Sequence, residues 1–214
     1  MAAANGKGAD LADTLRAIAL NCTLKASGES STDAMIAVLR DAFAKVDVTL
    51  TETVRIAAHD VKPGVTSDEG EGDDWPAIRE KILAHDILIF GGPIWMGQIG
   101  SIAKRVLERM DAFISETDDE GRMPSYGKVA VAAIVGNEDG AHWSSAQLFQ
   151  SLNDTGWTIP PVAACYWVGE AMGSTDFKDL PDTPDKVTKT AAMTATNAAH
   201  LARLLKANPL PGAE

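Results

Sequence analysis

Apolar positions along the chain fall into two alternating kinds of run. Short, almost wholly apolar stretches read as buried strands. Longer stretches with apolar residues three and four apart read as helices with one inward face. The run 16–24 (RAIALNCTL) is too brief for a helix and predicts a buried strand. After a hydroxyl-rich turn at 25–32 (KASGESST), Met35, Ile36, Val38, Leu39, Ala42 and Phe43 share a helical face. Ser31 or Thr32 is expected to cap that helix, with Asp33 in its first turn. The β-branched alternation of 46–56 (VDVTLTETVRI) predicts a second strand.

The stretch 59–74 holds Pro63, three glycines and six acidic residues, and predicts a polar surface loop. Its length exceeds that of ordinary connections, which suggests a functional or mobile segment. Asp74-Trp75-Pro76 opens a helix with proline in the tolerated first turn. Residues 86–90 (DILIF) predict a central parallel strand, followed by a Gly-rich loop at 91–100. Ser101 then caps a helix carrying Ile102, Val106, Met110 and Phe113. A fourth strand is expected at 128–135, a loop at 136–141 and a helix at 142–153, ended by Thr155-Gly156. A fifth strand is expected at 158–167 and a last helix at 185–207.

Strand and helix thus alternate five times. That order predicts an α/β fold, one parallel sheet with helices on both faces and right-handed crossovers. It places a single domain at 14–207, with a loose N-terminal tail at 1–13 and a C-terminal tail at 208–214. The first tail lacks the apolar core of a signal peptide.

Composition narrows the function more than the fold. The 214 residues carry a net charge of −11. That opposes nucleic-acid binding and docking on anionic lipid, both of which need excess Lys and Arg. No apolar run reaches the length of a membrane span. The two cysteines, Cys22 and Cys165, lie in apolar runs outside any CxxC or Cys/His cluster. This argues against iron–sulfur, zinc and disulfide sites, so no metal is expected, and a reducing, cytoplasmic compartment fits.

In an open parallel sheet, ligands bind beyond the carboxyl ends of the strands. Three loops meet that rule. The first, 23–32, carries Thr23, Lys25, Ser27, Ser30, Ser31 and Thr32 and runs into a helix N-terminus, where free N–H groups and the helix dipole favour an anion. Neither G-x-G-x-x-G nor a P-loop is present, so a terminal phosphate monoester suits it better than a pyrophosphate. A solvated loop with an ordinary Ser/Thr cap is the plainer alternative. The second, 91–99 (GGPIWMGQI), places Pro93, Ile94, Trp95, Met96 and Gly97 where a flat aromatic ligand could rest, or where they could pack inward or against another subunit. The third, 136–142 (GNEDGAH), holds Gly136, Asn137, Asp139, Gly140 and His142, and reads either as a lid over a ring edge or as a capping turn with Asp139 as cap.

Together the three loops resemble the flavodoxin-like NAD(P)H-dependent oxidoreductases, the family of FMN reductases and NAD(P)H:quinone reductases. The likeness covers about 15–177. It rests on the hydroxyl loop with Thr23, Ser30, Ser31 and Thr32, on Gly91-Gly92-Pro93-Ile94-Trp95-Met96-Gly97, and on Gly136-Asn137-Glu138-Asp139-Gly140-Ala141-His142. It implies a doubly wound five-stranded sheet in the order 2-1-3-4-5, bound FMN, NADPH or NADH as reductant, and a small electron acceptor such as a quinone or free flavin. It also implies flavin-borne chemistry without a catalytic side chain, and a homodimer or homotetramer that completes the pocket. The flavin phosphate is expected among the hydroxyls of 23–32, and the ring on Ile94, Trp95 and Met96. The backbone amides of 95–97 and 137–140 are expected at the ring edge. The competing reading is a flavodoxin-type electron carrier that docks on protein partners and has no NAD(P)H activity of its own.

Overall fold

The computed structural model describes residues 14–212; the tail expected at 1–13 lies outside them. Five parallel strands form the sheet: β1 (Leu15–Asn21), β2 (Val48–Arg55), β3 (Ile87–Trp95), β5 (Val129–Gly136) and β6 (Ala164–Val168), in the order β2-β1-β3-β5-β6. This is the expected order with one addition. A two-residue strand, β4 (Gln98–Ile99), folds back antiparallel on the end of β3.

Alternation along the strands sends side chains to two separate cores. Leu15, Ala17 and Ala19 of β1 face α1 (Ser31–Ala44) and α5 (Asp185–Ala207). Ile18 and Leu20 face the opposite layer, made by α2 (Trp75–Leu83), α3 (Ser101–Met110) and α4 (Ala141–Asp154). The central strands β3 and β5 are buried on both faces, which is why their sequences read as continuous apolar runs.

Several boundaries differ from expectation, each for a local reason. Helix α1 starts one residue earlier, because Ser30 rather than Ser31 or Thr32 is the cap. Helix α3 is capped by Gly100, not Ser101, and α4 by Gly140, not Asp139. The 91–100 loop is mostly strand: Gly91, Gly92 and Pro93 continue β3 in register with Ala133, Ile134 and Val135 of β5. The fifth strand is shorter than expected; its proline-containing first half forms only a bridge at Thr158.

The long acidic loop is fastened rather than free. Arg109 of α3 is fully buried and holds it at three points: the carbonyls of Lys62 (3.0 Å) and Thr66 (2.9 Å), and the carboxylate of Asp73 (2.7 Å). Its guanidinium also lies over the Trp75 ring, 5.8 Å from the centroid. Burial alone would raise the Asp73 carboxyl. Arg109 and the backbone N–H groups of Glu69, Trp75 and Lys62 outweigh that and hold it well below the usual carboxylate range.

Candidate flavin site

A cavity of about 470 Å³ opens at the carboxyl ends of β1, β3, β5 and β6. One end is polar. Thr23, Lys25, Ser30, Ser31 and Thr32 line it at the head of α1, and Thr23, Ser30 and Thr32 are buried. The other end is apolar, walled by Pro93, Ile94, Trp95, Trp167, Met172 and Phe177. Trp95 is half exposed. Hydroxyls and a helix N-terminus at one end, and aromatic walls at the other, fit a phosphate monoester joined to a flat ring system.

Within the polar end, the hydroxyls have different tasks. Ser30 forms a capping box with Asp33: its Oγ accepts the Asp33 N–H (3.1 Å), and its own N–H donates to the Asp33 carboxylate (3.1 Å). The Oγ of Ser31 accepts the N–H of Lys178 (3.3 Å), which ties the segment after β6 to the first helix. The lining carries two cations, Lys25 and Lys178, against three acids, Glu29, Glu138 and Asp176. The side chain of Lys178 bonds Asp179, at 2.6 and 2.7 Å, and that contact raises the ammonium above its ordinary range.

At the apolar end, Trp95 to Gln98 form a two-residue hairpin. Met96 (φ 54°) and Gly97 (φ 75°) both adopt the left-handed conformation such a turn requires. The carboxylate of Glu138 accepts both exposed N–H groups of the turn, from Met96 (3.1 Å) and Gly97 (2.9 Å). These two amides were expected at a ring edge; the neighbouring loop already holds them. Asn137 fastens that loop to the segment after β6, its Nδ2 donating to Asp176 (3.0 Å) and to the carbonyl of Gly173 (3.3 Å).

Of the expected site residues, Thr23, Lys25, Ser30, Ser31, Thr32, Pro93, Ile94, Trp95, Gly136 and Asn137 line the cavity. Ser27, Met96, Gly97, Asp139, Gly140 and His142 do not. Met96 points to solvent, 89% exposed, and His142 pairs instead with Tyr166, Nε2 to hydroxyl 3.0 Å. Leu24, Glu29, Asp176, Phe177 and Lys178 also line the cavity and were not anticipated. Phe177 and Lys178 lie just beyond 164–172, the stretch after the last strand whose Tyr166, Trp167 and Glu170 the sequence offers as rim or subunit-contact residues; of these three, Trp167 lines the cavity. A groove of about 540 Å³ around Arg79, Arg122 and Tyr126 lies before β5, at the opposite end of the sheet.

A model of the NADPH-dependent FMN reductases matches residues 15–172. The chain belongs to that family. It is 33% identical over 206 residues to the 8-demethyl-8-aminoriboflavin-5′-phosphate synthase of Streptomyces davaonensis, covering 91% of this chain and 80% of that one. It is 38% identical over 176 residues to a protein of Mycobacterium bovis named as the divalent metal cation transporter MntH, covering 78% of this chain and 25% of that one. The chain therefore spans only about a quarter of the length of that second relative. Among solved structures, RosB with bound 8-demethyl-8-formylriboflavin-5′-phosphate superposes with a TM-score of 0.80 at 30% identity, covering 92% of this chain and 82% of that one. Among the described residues, no helix is long and apolar enough to cross a membrane.

Proposed function

We propose that the cavity between the head of α1 and Trp95 seats FMN, and that the chain passes electrons from NAD(P)H to a small acceptor. The observation that carries this is the cavity's polarity, with buried hydroxyls at one end and aromatic walls at the other. When bound, the flavin supplies the hydride chemistry. Thr23, Ser31 and Thr32 would hold the phosphate, with Lys25 for charge. Ile94 and Trp95 would form the ring's bed, and Trp167 and Phe177 its far wall. Ser30 acts as the helix cap, so its hydroxyl is committed to Asp33. The half-exposed Trp95, the exposed Met96 beside it and the exposed Trp143 in the first turn of α4 favour a homodimer or homotetramer. Two free, buried cysteines suit the cytoplasm.

The test is spectral. The purified chain should show an oxidised-flavin spectrum, lost when Thr32 and Ser31 are replaced by glutamate. Anaerobic NADPH or NADH alone should bleach it quickly. A folded, colourless chain that takes up no FMN overturns the proposal, and slow bleaching favours the carrier reading.

The likeness to the Streptomyces synthase supports a second reading, in which the flavin phosphate is substrate rather than resident cofactor. Mass spectrometry of the flavin recovered after turnover separates the two. An unaltered mass supports the reductase, and a changed isoalloxazine supports the synthase-like activity.

A further inference from the structure

The head of α1 presents an electrostatic difficulty. A helix N-terminus carries roughly half a positive charge. Here Asp33, in the first turn, already uses it. A phosphate seated among the neighbouring hydroxyls would be a second anion at the same helix end, and the two would repel.

Beneath the loop, and outside the cavity lining, lies a compact polar knot. Asn21, at the end of β1, is buried and donates from Nδ2 to Asp33 (2.5 Å). Its Oδ1 accepts the N–H of Thr23 (3.0 Å). Arg55, the last residue of β2, pairs with the Asp33 carboxylate and is largely buried. The other arm of its guanidinium donates to the carbonyl of Gly28 (2.6 Å) and reaches that of Lys25 (3.5 Å). One planar cation thus neutralises the first-turn acid and draws two loop carbonyls down toward β2. Those two carbonyls are taken by Arg55, which does not line the cavity. A fork of this kind is a task for arginine rather than lysine.

We infer that Arg55 is a positioning residue that makes the head of α1 competent for a phosphate monoester, by cancelling the charge of Asp33 and setting the 25–28 loop from below. It touches no ligand and acts through Asp33, Lys25 and Gly28. The inference rests on the proposed seating of FMN, and it assigns selectivity for FMN over riboflavin to a pair outside the cavity.

The experiment is a fluorescence titration of the flavin-free full chain with FMN and with riboflavin, which lacks the phosphate. Arg55→Gln should weaken FMN binding about tenfold, the scale of a lost charge-assisted hydrogen bond, and leave riboflavin unchanged within about twofold. Asp33→Asn should act in the opposite direction, tightening FMN about twofold to fivefold relative to riboflavin. The double variant should regain most of the FMN affinity lost in Arg55→Gln. All these shifts should shrink as salt is added. If Arg55→Gln fails to fold, Asp33→Asn alone decides. A wild-type chain that prefers FMN, with variants that move both flavins together or neither, overturns the inference alone. A wild-type chain that binds neither flavin overturns the reading of the cavity and the inference with it.

Discussion

The carboxylate of Glu138 lies 2.9 Å from the backbone nitrogen of Gly97, across two loops that are 41 residues apart in the chain. Its second oxygen takes the N–H of Met96. Successive N–H groups of a left-handed turn form a small anion-binding nest. Here a side chain of the same protein fills it and locks the Trp95 hairpin to the loop after β5. Glu138→Ala should lower stability by about 1–2 kcal/mol, the range for bonds to a charged, half-exposed acceptor. Urea denaturation measures this. Glu138→Gln, which keeps one acceptor, should lose less.

The same contact constrains Gly140. A Cβ there would lie 2.4 Å from the carbonyl oxygen of Gly97, at a φ of 110°. Gly140→Ala should therefore cost more than the ~1 kcal/mol of an ordinary glycine replacement, because the clash adds to the backbone strain. It should also weaken FMN binding by moving the hairpin away from the loop. Thermal melts and flavin titration of the variant check both effects.

The buried Arg109–Asp73 pair sets a dependence on pH. The Asp73 carboxyl is depressed in the folded chain, so folding favours its ionised form. The resulting stability is fully present above the unfolded carboxyl pKa of about 4 and is lost as pH falls below it. Melting temperature should drop between pH 5 and pH 3 (roughly the range over which an unfolded aspartate protonates). Asp73→Asn should show a smaller drop over the same range. At neutral pH it should be destabilised by about 3–5 kcal/mol, because Arg109 is left buried without its counter-charge.

Neither cysteine should react in the native state. Cys22 and Cys165 are fully buried, and burial raises both thiols, that of Cys165 to about 12. A thiol reagent should label neither at neutral pH and both after denaturation. Labelling of Cys22 in the folded chain, a few residues from the hydroxyl loop, would contradict the burial described here.

The alternation of strands and helices was legible because each buried strand announced itself as an apolar run, and each connecting helix by a one-sided stripe; the order of the strands in the sheet came from the family resemblance. Two parts were not legible. The β3–β4 hairpin is hidden because its turn is Met96-Gly97 rather than Asn-Gly, and because Gly91, Gly92 and Pro93 resemble a loop while lying in a ladder. The residues that shape the site from behind, Asn21, Asp33 and Arg55, were invisible for another reason. They come from two strand ends and a helix, and only the parallel pairing of Asn21 with Arg55 brings them together. Hydroxyls and tryptophans could be read as site candidates from residue type, whereas an arginine at a strand end carries no such mark. Loop 59–74 misled by length alone, since nothing in its own sequence points to the anchor on α3.

The bond from the N–H of Lys178 to the hydroxyl of Ser31 spans 147 positions of chain. Between those positions lie all the strands but the first, so no fragment that stops short of β6 could present a complete cavity. A flavin bound there would be held at once by segments that follow the first strand and the last. Saturating it should raise the melting temperature by the same amount whether tryptophan emission, helical signal or flavin release is followed, because the occupied cavity and the intact sheet vanish in a single event.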